Sequence, residues 1–409
     1  MNIILSSFSS RALAETASFF NTNQLYSFDY FADQDLKKYV NYFYSLKKDI
    51  NAEYKTEFLY SQLKRFLMIN QNNIFYFIYG SDWDNQPQLL EELSNYQNLI
   101  IKGNSAKTLK RLAGKSGLLG LFNLIKKSHL KRPAIIFKDD SCLHENDNNK
   151  VFLKKPFASG GGKNIEIVNN QPENIAANSL NTADAFYLQE YIKGKCFSVQ
   201  FAADGKKAKV LSFCRQLSAF NSNSAFKYGG NILVKPDKST IKKITQTANL
   251  IVENYSLRGI NGFDYIQNEN GLYFLELNPR YTAAVELLIP IFGRDLFAVY
   301  FKDQLKKDYL KDYLSTDLKT SGKVIYYAEE KIKIKYDLKL EFKNIYNKAL
   351  NNKLKNVEVK IRDIPTAGEV FNEKDPVFTL IIKSKNEDQF WQACSYLFEE
   401  LEKSFLSLA

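Results

Sequence analysis

Hydrophobic and polar residues alternate in two runs over residues 259–280, with a turn at residues 268–271 between the runs. Alternation with a period of two residues predicts β-strands, and so short a turn predicts that the strands pair as an antiparallel hairpin. Pairing across this turn brings Asp264 opposite Glu276 or Asn278, with the side chains on one face of the hairpin.

The polar residues of this hairpin are carboxylates and an amide, whereas the positions around them are apolar. Two carboxylates and an amide oxygen at the surface of a sheet suit a hard divalent cation that keeps water ligands and binds phosphate. We therefore expect a Mg²⁺ (or Mn²⁺) site for ATP, with Asp264, Glu276 and Asn278 as ligands. The alternative is a half-buried hairpin whose polar residues simply face solvent.

A second pattern of strand, glycine-rich turn and strand lies farther upstream. Residues 151–156 predict a short strand that ends near a lysine pair, and residues 165–168 predict another strand. The turn between them contains three consecutive glycines, Gly160, Gly161 and Gly162. Glycines let backbone N–H groups approach a phosphate, and Lys155 adds a positive charge. A flexible hairpin turn is the alternative, and a Walker loop is excluded because its Gly-Lys-Ser/Thr spacing is missing.

A third pattern joins these two, because residues 186–190 and 198–203 predict strands with a short connector between them. A connector between two subdomains can present backbone N–H and C=O groups to the edge of an adenine, between apolar walls.

Strands and a helix alternate in the first part of the chain. Strands are predicted at residues 3–5, 25–28, 74–79 and 98–102, with a helix at 11–20. This order predicts a doubly wound α/β domain, but NAD binding is disfavoured because the loop after the first strand lacks Gly-x-Gly-x-x-Gly. In that serine-rich loop, Ser9 or Ser10 either helps to hold a substrate carboxylate or merely caps the helix.

The last part of the chain predicts a small mixed region. Strands are expected at residues 324–328 and 376–382, and a final helix at 387–406. The aromatic residues of that helix recur at helical spacing, which indicates a face packed in a core and not a binding surface.

Four motifs follow one another in the middle of the chain. They are Lys155-Pro156 before the glycines, Gln189-Glu190-Tyr191-Ile192 with Gly194, Gly262-x-Asp264, and Glu276-x-Asn278-Pro279-Arg280. Their order and spacing resemble the ATP-grasp superfamily of carboxylate–amine ligases, over roughly residues 105–300. The resemblance implies α/β and α+β architecture: a doubly wound pre-ATP-grasp domain (1–103), a two-subdomain ATP-grasp core (104–305) and a small β-rich α+β domain (306–409).

The resemblance also implies roles for the matching residues. The residues expected to bind the nucleotide are Lys155, Gly160, Gly161, Gly162, Glu190 and Ile192. Lys155 and the glycine loop would contact phosphates, and Glu190 and Ile192 would read the adenine from the hinge. The implied metal ligands are Asp264, Glu276 and Asn278. Arg280 and Lys155 are the expected catalytic residues, and Arg280 would steady the transferred phosphoryl group and the tetrahedral intermediate.

Two features depart from the superfamily pattern. Lys195 and Cys196 occupy the region in which many relatives carry an acid that holds the ribose, so the ribose contact is in doubt. Lys107 is a candidate for the first ATP-binding lysine, and a solvated surface lysine is the alternative.

A narrower resemblance rests on Ser10–Ala14, on Asn278–Thr282 and on the C-terminal region. These segments are similar to the carboligase-type ATP-grasp proteins of one-carbon metabolism in methylotrophic bacteria, and to the tyramine–glutamate ligases of methanofuran synthesis. Thr282 and Glu286, just past the arginine, are candidates to face the acceptor substrate, although Glu286 could instead be a favourable first-turn acid of a helix.

The implied reaction is ATP-dependent joining of a carboxylate, glutamate being one candidate, to an amine through an acyl phosphate, with release of ADP and phosphate. Two alternatives stay open: an ATP-dependent carboxylase that acts through carboxyphosphate, and a nucleotide-binding regulatory protein without turnover. The expected partners are small-molecule carboxylate and amine substrates, with a homodimer as an open alternative to a monomer.

Charge and composition narrow these classes. The chain has 409 residues and a net charge of +11, and residues 101–230 alone contain 21 Lys and Arg against 9 Asp and Glu. A basic field around the predicted nucleotide site attracts ATP or a polyanionic substrate. Nucleic-acid binding is disfavoured because no helix-turn-helix, zinc-finger or ribonucleoprotein pattern accompanies the charge.

The cysteines and histidines offer no metal or catalytic cluster. The cysteines are scattered along the chain at Cys142, Cys196, Cys214 and Cys394. His129 and His144 have neither metal-ligand nor catalytic spacing and are expected on the surface. Scattered cysteines indicate a reducing compartment, and no apolar run approaches the length of a membrane span, so we expect a cytoplasmic protein with no membrane partner.

Overall fold

The computed structural model of the chain describes residues 1–20, 24–49, 54–137, 151–157, 162, 164–168, 186–220, 226–317, 319–350 and 353–408. These residues form a mixed α/β structure, as the sequence predicts, with four β-sheets. Within the described ranges, no helix has both the length and the hydropathy that a membrane span requires.

The first sheet is parallel and has five strands. They are β1 (Asn2–Ser6), β2 (Gln24–Asp29), β3 (Tyr42–Ser45), β4 (Phe75–Tyr79) and β5 (Leu99–Lys102). The accompanying helices are α1 (Arg11–Ser18), α2 (Leu46–Asp49), α3 (Thr56–Ile69), α4 (Pro87–Leu93) and α5 (Ala106–Leu112). The strand order is β3-β2-β1-β4-β5, so the chain leaves β1 in one direction and returns on its other side with β4.

Both faces of this sheet are covered. Ile3 and Leu5 of β1 pack in the same hydrophobic cluster as Leu13 of α1, whereas Ile4 between them packs with Leu63 of α3. Because successive side chains of a strand point to opposite faces, the continuous apolar run of β1 is what a doubly wound sheet requires. The predicted doubly wound fold is therefore confirmed.

A small antiparallel sheet comes next, together with helix α6 (Gly114–Ile125). Its strands are β6 (Ile135–Ile136), β7 (Phe152–Pro156), β8 (Glu166–Val168) and β9 (Phe186–Glu190), in the order β6-β9-β7-β8. The predicted strand–turn–strand pattern around the glycines corresponds to β7 and β8, which pair from Phe152 opposite Val168 to Lys154 opposite Glu166.

The remaining strands form a large antiparallel sheet and a small one. Five strands precede residue 305: β10 (Lys195–Asp204), β11 (Ala208–Ser218), β12 (Tyr228–Val234), β13 (Arg258–Asn268) and β14 (Gly271–Asn278). Six follow it: β15 (Thr320–Tyr327), β16 (Ile332–Ile334), β17 (Glu358–Arg362), β18 (Val370–Phe371), β19 (Pro376–Ser384) and β20 (Phe405–Ser407). The large sheet has the order β14-β13-β10-β11-β12-β15-β19-β17, and the small one is β18-β16-β20.

Three C-terminal strands, β15, β19 and β17, therefore extend the sheet of the central region, whereas β18, β16 and β20 form the separate three-stranded sheet. The junction is the pairing of β12 with β15, in which Gly230 lies opposite Val324. The helices of this half are α7 (Lys238–Tyr255), α8 (Ile289–Phe292), α9 (Arg294–Ala298), α10 (Tyr309–Ser315), α11 (Leu338–Ala349) and α12 (Glu387–Glu402).

The final helix is shorter than predicted. It ends at Glu402, and Phe405 belongs to strand β20, so this residue is not part of the helical stripe. Phe390, Leu397 and Leu401 are fully buried, which agrees with the prediction that the stripe packs in a core. The prediction failed at the end of the helix because pairing of β20 with β16 decides the backbone there, and that contact is not local.

Candidate active site

A cavity of about 1310 Å³ opens between the four-stranded sheet, the eight-stranded sheet and the loops of the parallel sheet. Eight residues selected from the sequence line it: Lys155, Gly162, Glu190, Ile192, Asp264, Glu276, Asn278 and Arg280. Gly160 and Gly161 lie outside the described residues. The structure thus brings residues from four separate motifs to the wall of a single cavity.

The hairpin of β13 and β14 carries the two acids. Its turn pairs Asn268 with Gly271, and a regular ladder counted from this turn would place Leu275 opposite Asp264. The register instead shifts by one residue after Tyr265, so that Asp264 lies opposite Glu276. This β-bulge turns Glu276 to the face of Asp264, whereas Phe274 stays fully buried on the other face. The expected pairing of the two acids is therefore confirmed, but a bulge produces it.

Lys155 reaches this acid pair from strand β7 of the four-stranded sheet. Its Nζ lies 3.1 Å from Oε2 of Glu276, and the lysine is only 6% exposed. Burial opposes the positive charge, but Glu276 outweighs it and holds the pKa of Lys155 above its usual value. Lys154, the other member of the pair, points away and lies 3.9 Å from the exposed Glu166.

The electrostatics of the acid pair fit a cation. Burial, and next the neighbouring Glu276, raises the pKa of Asp264 to about 7. The amide Nδ2 of Asn278 lies 3.5 Å from Oδ2 of Asp264, so its oxygen is close to the same pair. A raised pKa means that burial and Glu276 disfavour the ionised form of Asp264, and a divalent cation between the two acids would compensate this cost. In the described residues no group of three or more His, Cys, Asp or Glu forms a metal site, which leaves this set of two acids and one amide.

Arg280 is held by a residue that the sequence did not single out. Its Nε donates to Oδ2 of Asp84 at 3.0 Å, and its Nη2 donates to Oδ1 of Asn278 at 3.2 Å. Burial lowers the pKa of Arg280, but Asp84 more than compensates and keeps it above the usual value. The other oxygen of Asp84 is buried without a partner among the described residues.

Asp84 could have been found only from the topology. It lies in a short 3₁₀ helix, Trp83–Asn85, just beyond the carboxyl end of β4. In the observed order β1 and β4 are the adjacent strands from which the chain departs in opposite directions. Ligands of doubly wound sheets bind at such a switch point. Ser7 after β1 and Ser81 after β4 meet there, with 3.1 Å between their hydroxyl oxygens.

The predicted hinge is hydrogen-bonded to segments beside the four-stranded sheet. The N–H of Glu190 donates to Ala134 at 2.8 Å, and Oε2 of Glu190 accepts from the N–H of Ala134 at 2.9 Å. The N–H of Tyr191 donates to Val151 at 2.7 Å. Glu190 therefore fixes the hinge with its side chain, and Ile192 lines the cavity at 9% exposure.

The described glycine of the phosphate loop approaches another segment closely. Gly162 has φ of 73°, and a Cβ atom there would lie 1.7 Å from the carbonyl oxygen of Phe226. No side chain fits at that distance, so glycine is required at this position.

The other nucleotide predictions have mixed outcomes. Lys107 is exposed on α5 and is absent from the described lining of the cavity, so the structure gives it no contact with this site. Lys195 and Cys196 both line the cavity. The Sγ of Cys196 donates to Oε1 of Gln216 at 2.9 Å, and burial raises the pKa of this thiol. His129 is exposed, as expected, and His144 lies outside the described residues.

The serine-rich loop borders the other end of the cavity. Ser10 does not cap α1 with its side chain. Its hydroxyl instead lies 2.5 Å from that of Ser27 and donates to Oδ2 of Asp29 at 3.0 Å. The capping interpretation of Ser10 is therefore wrong, because a buried acid of β2 takes the hydroxyl. Ser9 lines the cavity.

Arg11, the first residue of α1, joins the three regions of the chain. It is 1% exposed and forms ion pairs with Glu286 at 2.6 Å, Asp363 at 2.9 Å and Glu15 at 3.0 Å. Glu286 also pairs with Lys323. Glu286, a candidate to face the acceptor, is thus buried between two cations, although it does lie in the first turn of the 3₁₀ helix Ala283–Leu288.

Thr282, the other acceptor candidate, lines the cavity. Its hydroxyl has no hydrogen-bond partner in the described part of the chain.

Residues 119–284 match the profile of the ATP-grasp domain. The chain contains an ATP-grasp domain. An uncharacterized protein of Methanocaldococcus jannaschii is 24% identical over 305 residues, which cover 74% of this chain. The match spans 64% of the archaeal protein's length, so just under two thirds of that relative is represented.

Solved structures with the same fold cover nearly the whole chain, beyond the ATP-grasp domain itself. The L-amino acid ligase from Bacillus licheniformis has a TM-score of 0.64 at 11% identity, and covers 100% of this chain and 99% of its own. The biotin carboxylase from Campylobacter jejuni, in complex with an ATP analogue, has a TM-score of 0.69 at 14% identity. The likeness covers 99% of this chain and 91% of the carboxylase chain. At such identities the likeness concerns the fold, which places the regions before and after the ATP-grasp domain in one shared architecture.

Proposed function

We propose that this chain is an ATP-dependent ligase that activates a carboxylate as an acyl phosphate and transfers the acyl group to an amine. The observation that carries the proposal is the convergence of Lys155, the acid pair and Arg280 on one cavity that continues to the loops of the parallel sheet. The ATP-grasp domain supports the use of ATP.

The nucleotide would lie between the small sheet and the hairpin. Lys155 and the loop of Gly162 would contact its phosphates, where a buried cation and unobstructed backbone N–H groups favour anions. Because Glu190 uses its N–H and a carboxylate oxygen on Ala134, we assign the adenine edge to the backbone of Ile192. In many relatives an acid holds the ribose hydroxyls. Lys195 and Cys196 occupy the corresponding region of this chain, so other groups would hold the ribose.

Asp264, Glu276 and Asn278 would hold Mg²⁺ or Mn²⁺. When bound, the cation neutralises charge on the phosphates. Lys155 is a counter-ion to Glu276, and this contact would be exchanged for phosphate oxygens when the nucleotide binds.

The chemistry needs two displacements. A carboxylate oxygen attacks the γ-phosphorus, the bond to the bridging oxygen breaks, and ADP leaves. The amine nitrogen then attacks the acyl carbon, the C–O bond breaks, and phosphate departs as nitrogen loses a proton. Lys155 and Arg280 would stabilise negative charge on the transferred group, and Asp84 and Asn278 hold the guanidinium of Arg280 in place.

The finer assignment is to carboligase-type proteins of one-carbon cofactor synthesis, with glutamate as the acid. It rests on the resemblance of Ser10–Ala14, Asn278–Thr282 and the C-terminal region, and it stays a prediction. The likeness to the L-amino acid ligase from Bacillus licheniformis supports a substrate of amino-acid type.

An ATP-dependent carboxylase is the second candidate. The specific observation in its favour is the likeness of the whole chain to biotin carboxylase, whose TM-score of 0.69 exceeds the 0.64 of the amino acid ligase. A regulatory protein without turnover is disfavoured by the full set of Asp264, Glu276, Asn278 and Arg280 in one cavity.

A screen for ADP and phosphate release tests the proposal. The purified full-length chain is incubated with Mg-ATP and with amino acids, primary amines and bicarbonate, singly and in pairs. Release that requires both a carboxylate and an amine would support the ligase. Release with bicarbonate alone would favour the carboxylase, and binding of ATP without release under any condition would refute both enzymes.

A further inference from the structure

Asp33 is a buried carboxylate in the part of the cavity that is lined by loops of the parallel sheet. It is 5% exposed and lines the cavity, and its Oδ2 has no hydrogen-bond partner among the described residues. A buried carboxylate oxygen without a partner costs folding free energy, so its presence calls for a ligand or a function.

The surroundings of Asp33 are rich in other acids. Burial, and then Asp363, Asp35, Asp29 and Glu369, raises its pKa. Asp35 and Asp363 are matched by Arg11, whose guanidinium contacts both. Asp33 has no such ion pair among the described residues, and its raised pKa means that its ionised form is disfavoured unless a cation lies beside it.

Two lysines lie near Asp33, but other groups engage their ammonium groups. Lys48 donates to the carbonyl oxygen of Ala32 at 2.8 Å and pairs with Glu369 at 2.7 Å. Lys47 lies 3.8 Å from the centre of the Phe371 ring, 5.7 Å from that of Phe31 and 3.9 Å from Glu369. In the described part of the chain, Lys47 and Asp33 form no ion pair within 4.0 Å, and they interact only electrostatically over a longer distance.

Four aromatic rings border the same part of the cavity. Phe8 lies 5.5 Å from Tyr30, 5.0 Å from Phe31 and 4.9 Å from Tyr54, measured between ring centres, and all four residues line the cavity. Each is half-buried, so part of every ring remains available to a ligand. Ring faces attract organic cations and apolar groups but not carboxylates or phosphates.

We propose that this part of the cavity binds an organic ammonium, with Asp33 as its counter-ion and the rings of Phe8, Tyr30, Phe31 and Tyr54 as its wall. The ligand class is a primary amine on an apolar or aromatic body. The inference rests on the proposed function in one respect, because it identifies this amine as the acceptor substrate. Asp33 is thus a residue for substrate specificity, and nucleotide binding does not depend on it.

The test is calorimetric titration of the full-length protein, saturated with Mg-ADP, with 2-phenylethylamine as the probe. The matched control ligand is 2-phenylethanol, which has the same ring and no charge. We expect the amine to bind at least tenfold more tightly than the alcohol. Asp33→Asn should remove about tenfold or more of the amine's affinity and leave that of the alcohol unchanged, since the acceptor of the ammonium hydrogen bond loses its negative charge.

Further measurements check that the effect of Asp33→Asn on amine binding is not caused by a change in the fold or in the overall charge of the protein. Asp33→Asn relieves repulsion among acids, so its melting temperature should not fall below that of the wild type. Asp303→Asn, at an exposed position, should leave amine binding unchanged. Phe8→Leu should weaken amine binding by a few fold through loss of a ring face.

Equal affinity of the wild type for amine and alcohol, absence of amine binding, or unchanged affinity in Asp33→Asn would overturn the inference. The proposed function fails differently. ADP release driven by bicarbonate would remove the ligase assignment even if the amine binds at Asp33. ADP release that needs both a carboxylate and an amine would support the ligase. If the KM for the amine is then the same in Asp33→Asn as in the wild type, the amine does not bind at Asp33.

Discussion

Replacement of Glu276 by glutamine separates catalysis from stability. The substitution keeps the size and shape of the side chain but removes one of the two carboxylates that face each other across the hairpin. It also removes the counter-charge that lies 3.1 Å from Nζ of Lys155. We expect the fold to survive and ADP release to be lost.

The expected effect on stability is small for two reasons. The carboxylate of Glu276 is 40% exposed, and an ion pair this accessible to water contributes about 1 kcal/mol or less. Its removal also relieves the repulsion that helps to raise the pKa of Asp264 to about 7. The two changes oppose each other, so the free energy of unfolding should change by less than about 1 kcal/mol.

The expected effect on activity is large. The predicted metal site would keep one carboxylate, Asp264, and one amide, Asn278, and the charge available to a divalent cation would be halved. Loss of an outer-shell partner of a metal already costs 10–100-fold, so loss of a direct ligand should lower ADP release by roughly 100-fold or more.

The assay is ADP release against Mn²⁺ and Mg²⁺ concentration, together with thermal unfolding. Glu269→Gln is the matched control, because Glu269 is exposed in the turn of the same hairpin and should behave as the wild type. Unchanged turnover in Glu276→Gln, with an unchanged metal dependence, would refute the assigned role of this residue.

Further predictions concern single contacts of the cavity and of the parallel sheet. Lys155→Met should weaken ATP binding by roughly 10–100-fold in calorimetry, whereas Lys154→Met should not, because only Lys155 faces the cavity; equal effects would contradict this assignment. Asp84→Asn should lower kcat by about tenfold without changing the KM for ATP, since it frees the Nε of Arg280 that donates to it at 3.0 Å; a change confined to KM would argue against a positioning role. Burial raises the pKa of Asp29 to about 6, so its folded carboxyl favours the protonated form, and stability falls as pH rises from the unfolded pKa to about 6. Between pH 5 and pH 8 the wild type should therefore lose about 1.4 kcal/mol of unfolding free energy that Asp29→Asn does not lose, measured by urea unfolding.

Local patterns were sufficient wherever neighbouring residues decide the structure. The apolar run of Ile3–Leu5 and the helix after it predict a doubly wound sheet, because both faces of such a strand must be covered. The turn between Asn268 and Gly271 predicts the hairpin, because a two-residue connection leaves few ways to pair its strands. The chemistry of Asp264, Glu276 and Asn278 follows from their residue types, and Lys155 follows from its place at the end of a strand.

Tertiary structure decided the contacts between these parts. A ladder counted from the turn alone would pair Asp264 with Leu275, and only the bulge presents Glu276 instead. Asp84 and Arg280 are 196 residues apart, and nothing in their local sequences indicates that they meet. Such contacts depend on how whole sheets pack, and the free energy of that packing is spread over the hydrophobic core.

The same reason explains why the sequence did not reveal the part of the cavity that is lined by loops of the parallel sheet. Arg11 reads as an ordinary first residue of a helix, yet folding buries it between acids from two distant parts of the chain, Glu286 and Asp363. Asp33 reads as a polar loop residue, yet it becomes a buried carboxylate beside four rings. Residue types determined what chemistry the chain can perform, and the packing of its sheets decided which groups share one cavity, because the burial and charge pairing that build this cavity join segments far apart in sequence.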